Sequence, residues 1–132
     1  MYNALSTVFD DAHTGSTRLH LDLSDAVNIM MWASDTQDSE RGYALWHIFA
    51  VEDASQIRRY LHAKARSDQG STEGDPIHNQ ETYLTPSMLQ ELLADYNTRP
   101  YTIRQHVGEA VFIPAGCAHQ ASLFILCFQH CS

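Results

Sequence analysis

The chain has 132 residues, a net charge of −8 and 44% apolar residues. This length predicts one domain with its own core, and the acidic charge argues against direct nucleic-acid binding, which favours basic surfaces. No apolar stretch approaches the roughly 20 residues of a membrane-spanning helix. Three cysteines without CxxC spacing, together with the absence of a secretory signal pattern, favour a reducing intracellular compartment.

Five stretches have the length and apolar content of β-strands. They are residues 17–32 (with an irregular turn around residues 24–26), 43–51, 101–107, 110–113 and 121–128. Residues 33–42 are polar and predict a loop between the first two stretches.

Two helices are predicted between the second and third strand stretches. Asp53 has the position of an N-cap with Gln56 at the capping-box position, and Thr85 with Pro86 starts a second helix that ends near Asn97. The predicted apolar faces contain Ile57, Tyr60, Leu61 and Ala65 on the first helix and Met88, Leu89, Leu92 and Leu93 on the second. Residues 67–80 form a flexible connection between the helices.

The order of these elements predicts an all-β barrel or jelly roll with a helical insertion at residues 52–98. A βαβ repeat or Rossmann sheet is disfavoured, because no glycine-rich phosphate loop follows any strand.

The sequence His20-Leu21-Asp22 places an imidazole and a carboxylate two residues apart. Residues two apart on a strand point to the same side of the sheet, so both groups can face one point. The tripeptide alone is a weak signal in a chain with eight histidines and sixteen acidic residues.

A second motif about a hundred residues later strengthens this interpretation. A short apolar strand is followed by the turn Pro114-Ala115-Gly116 and then by His119. Double-stranded β-helix proteins deliver their last metal ligand in this way. Two histidines and one carboxylate on one face of a metal leave open positions, which suits non-heme Fe(II) oxygenases.

Four blocks in the same order closely resemble the JmjC-domain histone lysine demethylases, and among them the lysine-specific demethylase 3 group, to which the hairless protein also belongs. The blocks are residues 20–30, 44–50, 75–80 and 111–120, and the resemblance extends over roughly residues 16–129. It implies a single cupin-like JmjC domain at residues 1–132 that is incomplete at both ends.

The resemblance also implies a chemistry and a partner. It implies a double-stranded β-helix that binds Fe(II) and 2-oxoglutarate, with His20, Asp22 and His119 as catalytic iron ligands. The reaction implied is oxidative removal of methyl groups from the ninth-position lysine of histone H3. The partner would then be the H3 tail or another basic methylated peptide, in the nucleus, with no membrane or direct nucleic-acid contact.

Three further residues are candidates for cosubstrate binding. Thr17 matches a threonine that binds the distal carboxylate of 2-oxoglutarate in related oxygenases. Asn28 has the strand register of His20 and Asp22, and Met30 and Trp32 continue this register, although plain core positions are expected for both. Gln129 occupies the position at which the resembled group has a lysine that pairs with the distal carboxylate.

Two alternatives to an active demethylase remain open. A catalytically impaired JmjC-like module that binds chromatin partners would explain the neutral Gln129, since an amide cannot replace a charge-assisted bond. A simple metal-binding cupin with small-molecule dioxygenase activity is the other alternative. His47, His78 and His130 are predicted to be structural or surface residues. The sequence does not indicate an oligomeric state.

Overall fold

The computed structural model describes residues 16–33, 41–68 and 73–124. This part of the chain contains strands β1 (Ser16–His20), β2 (Ala26–Ile29), β3 (Tyr43–Ile48), β4 (Tyr101–His106), β5 (Ala110–Ile113) and β6 (His119–Phe124). The helices α1 (Ala54–Ser67) and α2 (Pro86–Tyr96) lie between β3 and β4, and a 3-10 turn (Val51–Asp53) precedes α1. No helix in the described ranges is long and apolar enough to cross a membrane.

The described strands form two antiparallel sheets. The first sheet has four strands in the order β1-β6-β3-β4, and the second pairs β2 with β5. Strands distant in sequence are therefore neighbours, as in jelly rolls. The predicted fold class, an all-β core with a helical insertion, is confirmed.

The four-stranded sheet separates two apolar cores, because successive side chains on a strand face opposite sides. One side, called here the inner face, packs against the β2–β5 sheet; the other packs against the helices. The inner core contains Met30, Ala44, Trp46, Ile48, Val111, Ile113, Cys117 and Ala121. The helical core contains Leu19, Phe49, Ala54, Ile57, Tyr60, Leu61, Ile77, Leu84, Leu92 and Ala118.

A buried glutamine attaches the helical region to the sheet. Gln120 is fully buried on the helical side of β6, where its amide oxygen accepts the Leu84 N–H and its nitrogen donates to the Leu84 carbonyl. The same nitrogen donates to Nδ1 of the buried His47, at 3.1 Å. The Gln120 side chain thus satisfies the Leu84 backbone as a neighbouring strand would, which burial requires.

The block at residues 75–80 has a structural role in the same region. Asp75 accepts hydrogen bonds from the backbone of Ile77 and His78 and forms an ion pair with Arg58 of α1, with an Nη2–Oδ2 distance of 2.8 Å. These contacts fix a turn that inserts Ile77 fully into the helical core. His78 remains exposed, as predicted.

The second helix begins and ends as predicted, and the first helix does not. Thr85 caps α2 by accepting from the Met88 N–H, and Asn97 ends it in a left-handed conformation. Asp53 makes no side-chain cap bond, because the 3-10 turn runs directly into α1 and already places Asp53 in a helical conformation.

Several other predictions were wrong in detail. Leu93 is 48% exposed and Trp32 is 69% exposed, so neither is core; Trp32 lies beyond the end of β2, where strand register no longer sets its direction. The stretch at residues 17–32 is two short strands separated by a loop. Strand β6 begins at His119, two residues earlier than expected, and residues 125–128 lie outside the described ranges.

Candidate metal centre

The structure brings His20, Asp22 and His119 together at the inner face of the four-stranded sheet. His20 ends β1 and lies opposite His119, the first residue of β6, in the antiparallel pairing. One ligand atom from each of the three residues lies within 4.8 Å of the others. The nearest Asp22 oxygen, Oδ2, is 4.0 Å from His20 Nε2 and 3.9 Å from His119 Nε2.

Both histidines are held in the same orientation by their own strands. Nδ1 of His20 lies 2.8 Å from the Arg18 carbonyl, and Nδ1 of His119 lies 2.9 Å from the Cys117 carbonyl. A carbonyl oxygen only accepts, so Nδ1 carries the proton in each ring. Both Nε2 lone pairs are therefore free, as metal-binding histidines require.

The spacing of the three donors fits a common ion better than mutual hydrogen bonds. Distances of 3.9 and 4.0 Å are too long for hydrogen bonds between Asp22 and the imidazoles. Two donors each about 2.1 Å from one metal lie about 3 Å apart at a right angle and at most about 4.2 Å apart. The two Nε2–Oδ2 distances lie within this limit, and the three donors would bind one divalent transition metal after drawing about 1 Å closer together.

Burial keeps one of the imidazoles neutral. The His119 side chain is only 4% exposed, and this burial, with a smaller effect from His20, lowers the His119 pKa below its ordinary value despite opposing effects of the Cys117 carbonyl and Asp22. A lowered pKa keeps the His119 lone pair available at neutral pH. Asp22, by contrast, is half-exposed and faces the open side of the site.

A tight turn connects the two halves of the motif. Residues 114–117 form a type II turn, in which Cys117 N–H donates to the Pro114 carbonyl and Gly116 has φ of +78°. The Gly116 N–H donates to the Asp22 carbonyl at 2.8 Å, and the Ala115 N–H donates to Oδ1 of Asp25 at 2.8 Å. The turn before His119 is thus bonded to the loop that carries Asp22.

A polar network lies behind the histidines in the inner core. The Trp46 ring stacks on His119, with centroids 6.2 Å apart, and its indole N–H donates to Oε1 of the fully buried Gln105 at 2.8 Å. Nε2 of Gln105 lies 3.0 Å from the Asn28 and Glu109 carbonyls and 3.2 Å from Oδ1 of Asn28.

Sequence reasoning missed both Asp25 and Gln105. The signal for Gln105 was a polar residue within a predicted strand. The signal for Asp25 was an acidic, turn-forming residue close to His20 and Asp22. Neither signal distinguishes a buried network from an exposed side chain.

Two of the candidate cosubstrate residues occupy inner-face positions. Thr17 pairs with Ala121 of the inner core, because a bulge between Thr17 and His20 shifts the register and puts both on one side despite their three-residue spacing. Asn28 pairs with Val111, which is buried on this face, while its own side chain is exposed at the open side. Gln129 and His130 lie outside the described residues.

No described strand position on the inner face of β2 to β6 carries a lysine or arginine. Lys64, the single lysine of the chain, lies on α1. Arg104 pairs with Leu45 on the helical side and stacks on Tyr43, with its Cζ 4.9 Å from the ring centroid. The buried His47 faces the same helical side and has a pKa lowered by burial.

Comparison with known proteins gives consistent matches. Residues 13–130 match the family model described as "JmjC domain, hydroxylase". The chain is similar to Lysine-specific demethylase 3A of Gallus gallus (33% identity) and of Homo sapiens (34%), in both cases over 98% of this chain and 12% of the relative. It is also 33% identical to Lysine-specific demethylase 3 of Drosophila melanogaster, over 98% of this chain and 19% of the relative. The chain therefore spans about one-eighth of the length of the vertebrate relatives.

Proposed function

Because this chain belongs to the JmjC domain hydroxylase family, we propose that it is an Fe(II)- and 2-oxoglutarate-dependent oxygenase that demethylates a lysine of histone H3, by family resemblance the ninth. The observation that carries the proposal is the convergence of His20, Asp22 and His119 with both Nε2 lone pairs free. These three residues would hold the Fe(II).

The iron centre would supply one kind of chemistry. Fe(II) held by His20, Asp22 and His119 would supply the oxidative chemistry that uses 2-oxoglutarate and O2. Overall, 2-oxoglutarate, O2 and one N-methyl group give succinate, CO2, formaldehyde and the N–H amine. This stoichiometry balances without another reductant, since decarboxylation of 2-oxoglutarate supplies two electrons and the methyl group supplies the other two.

The protein's own residues act by orientation. The Arg18 and Cys117 carbonyls hold the two imidazoles in the Nδ1–H tautomer, and the stacked Trp46 ring limits rotation of His119. Orientation of ligand rings by such neighbours raises metal affinity by 10- to 100-fold in comparable sites, as an order of magnitude. The half-exposed Asp22 leaves the open side of the centre accessible to a peptide.

The cosubstrate would lie between the sheets. We propose Thr17 and Asn28 as neutral hydrogen-bond donors for 2-oxoglutarate, supported by their inner-face positions. Gln129 is proposed as a third on the basis of sequence alone. Each neutral donor gives a weaker bond to a carboxylate than a lysine would.

The substrate and the cellular location are proposals that come from the relatives. The relatives are named as lysine-specific demethylases, and the chain's net charge of −8 complements a basic peptide such as the H3 tail. Histone tails are nuclear, so we propose a nuclear location.

Turnover of a methylated peptide tests the proposal. The full chain, loaded with Fe(II), is incubated with 2-oxoglutarate and an H3 peptide dimethylated at its ninth position, and succinate, formaldehyde and methyl loss are measured together. We expect all three products in equal amounts, and none with His119→Ala. The unmethylated peptide is the substrate control. Succinate without methyl loss on any methylated lysine would contradict the demethylase assignment while leaving the oxygenase chemistry intact.

A second candidate is a catalytically impaired module that binds chromatin. It is favoured by the lack of a lysine or arginine among the described inner-face positions of β2 to β6, together with Gln129 in place of the expected lysine. Under this alternative the chain binds metal and methylated peptide but forms no succinate. Gln129→Lys would then tighten 2-oxoglutarate binding by roughly 10- to 150-fold, the equivalent of about 1.5–3 kcal/mol for a charge-assisted bond. Tight binding by the unmodified chain and no gain from lysine would contradict the alternative.

A further inference from the structure

Gln105 makes no hydrogen bond to the candidate metal ligands, yet it bonds to Trp46, which stacks on His119, and to Asn28. Its side chain is 1% exposed and lies between the two sheets, where it joins Trp46 of β3 to Asn28 of β2. A buried glutamine that bridges two sheets is costly unless all of its atoms are paired. Gln105 meets this condition.

The Trp46 indole determines which end of the Gln105 amide faces each neighbour. An indole N–H only donates, so the atom 2.8 Å from it must be the Gln105 oxygen. The Gln105 nitrogen consequently faces three acceptors: the Asn28 and Glu109 carbonyls and Oδ1 of Asn28. All of these assignments are mutually consistent, so the amide has one orientation and not two.

The same logic extends to Asn28. Since Gln105 presents only N–H groups to Asn28, the Asn28 side chain must turn its oxygen toward Gln105. Its Nδ2 group, with two N–H donors, is then directed away from Gln105. This nitrogen has no hydrogen-bond partner among the described residues, and Asn28 is exposed.

We propose that Gln105 is a positioning residue that aims the Asn28 amide nitrogen at a carboxylate of the cosubstrate. This inference rests on the function proposed above and identifies a residue that orients one of the proposed cosubstrate contacts. The orientation of the Asn28 amide matters because no described inner-face strand position of β2 to β6 carries a lysine or arginine. An Asn28 amide fixed with its N–H donors away from Gln105 can donate hydrogen bonds to the 2-oxoglutarate carboxylate, as a cation would. An amide free to flip would also present its oxygen, which repels a carboxylate.

The experiment compares four variants of the metal-loaded full chain, with Mn(II) in place of Fe(II) so that no turnover occurs. Asn28→Asp keeps the oxygen that accepts from Gln105 and removes the donor, and Asn28→Ala removes the donor without adding charge. Gln105→Met removes the bridge at similar volume. Gln120→Met is the matched control, because it removes a similarly buried glutamine, also bonded through both amide atoms, from the opposite face of the same sheet.

The affinities for Mn(II) and for 2-oxoglutarate and the midpoint of thermal unfolding are measured for each variant. We expect 2-oxoglutarate affinity to fall about 10-fold for Asn28→Ala and Gln105→Met, and further for Asn28→Asp. Mn(II) affinity should change less than about 3-fold. Gln120→Met should lower the unfolding midpoint as much as Gln105→Met does, yet leave 2-oxoglutarate affinity unchanged.

An independent readout follows the positioning itself. The chain has two tryptophans, so its ¹H–¹⁵N spectrum contains two indole signals. Gln105→Met should shift one of them, from Trp46, and change the Asn28 side-chain amide signals; Gln120→Met should change neither.

Three results distinguish a failure of this inference from a failure of the proposed function. If Gln105→Met and Gln120→Met weaken 2-oxoglutarate binding equally, Gln105 acts only through stability and the inference is wrong. If Asn28→Ala binds as tightly as the unmodified chain, the donor is not used and the inference is again wrong, with the proposed function intact. If the Mn(II)-loaded unmodified chain binds no 2-oxoglutarate, the proposed function fails and the inference falls with it.

Discussion

At the scale of single residues, the candidate metal centre depends on three donors that share no hydrogen bond with one another. His20, Asp22 and His119 approach within 4.8 Å, and each imidazole is fixed through Nδ1 to a carbonyl two residues earlier. Without a metal this group has little to gain from convergence, because a carboxylate about 4 Å from two imidazole nitrogens is too distant to hydrogen-bond with either. Metal binding is the use that we propose for this geometry.

Asp22→Asn should weaken divalent-metal binding by more than 10-fold while leaving the fold intact. The change removes the negative charge but keeps the Asp22 backbone carbonyl, which accepts from Gly116. Calorimetric titration with Mn(II) and thermal unfolding measure the two effects.

Asp25→Asn is the matched control for this change, since Asp25 lies in the same loop and its Oδ1, which accepts from Ala115, survives as an amide oxygen. We expect nearly unchanged metal affinity for the control. Equal losses for both variants would mean that general negative charge, and not ligation by Asp22, attracts the metal.

The sequence predicted that His20, Asp22 and His119 converge and that Asn28 lies on the inner face, but strand periodicity is not the reason for the convergence: Asp22 lies in the loop between β1 and β2, and His119 follows the turn at residues 114–117. It did not predict why Thr17 shares that face, since three-residue spacing contradicts the period of two and only the bulge resolves it. Gln105 could not be assigned either, because its role depends on Trp46 and Asn28, which are 59 and 77 residues away in sequence.

At the scale of elements, the turn at residues 114–117 determines where β6 begins. Gly116 adopts a positive φ, and a Cβ added there would lie 3.0 Å from Cγ2 of Val51. Gly108 also has a positive φ, but a Cβ there would meet nothing within 4 Å. The two glycines thus share a backbone conformation that is unfavourable for other residues, but only a Cβ at Gly116 would contact a neighbouring side chain.

Gly116→Ala should therefore destabilise the chain more than Gly108→Ala does. The left-handed conformation costs an alanine about 1–2 kcal/mol in either position, and only Gly116→Ala also forces Val51 to move. Chemical denaturation gives the two free energies of unfolding, and metal titration should show a loss of affinity for Gly116→Ala alone. A larger loss of metal affinity for Gly108→Ala would show that the turn at residues 114–117 does not position the metal ligands.

The segment at residues 75–80 should contribute a pH-dependent part of the stability. The Arg58 guanidinium, helped by backbone N–H groups, lowers the pKa of Asp75 below its ordinary value. A lowered folded-state pKa gives stability that is present above the unfolded-state pKa of about 4 and is lost as the pH falls through the folded-state value. The Asp75 and Arg58 side chains are each 35% exposed, so the ion pair is worth less than about 1 kcal/mol.

The measurement compares the unmodified chain with Asp75→Asn between pH 7 and pH 3. We expect the difference in unfolding free energy to be constant above pH 5 and to shrink below pH 4. A difference that does not change over this range would show that Asp75 acts through its hydrogen bonds to Ile77 and His78 and not through charge.

At the scale of the whole molecule, the order of the helices and strands was predictable from the sequence. The contacts that attach the helical insertion to the sheet were not. The apolar spacing predicted both helices, and Thr85 and Asn97 bounded the second one correctly. The buried Gln120, which fastens residue Leu84 to β6, gave no sequence signal, because polar residues in strands are usually exposed. The Asp53 cap failed because the preceding 3-10 turn cannot be distinguished from a loop by composition.

The net charge of −8 should make peptide binding depend on salt. Raising the salt concentration from 50 to 500 mM shortens the screening length from about 14 to about 4 Å, which weakens attraction between an acidic protein and a basic H3 peptide. We expect peptide affinity to fall several-fold over this range. Affinity for the anionic 2-oxoglutarate should not fall in parallel, so a common decrease would indicate a general effect of salt on the fold.

The most direct test of the central claim is whether cosubstrate binding requires a metal held by these three residues. Calorimetric titration of 2-oxoglutarate into the full chain is carried out with Mn(II), without metal, and with His119→Ala at the same Mn(II) concentration. The account predicts one 2-oxoglutarate per Mn(II)-loaded chain and no measurable binding in the other two samples. Equal binding with and without Mn(II), or retention of Mn(II)-dependent binding in His119→Ala, would contradict it.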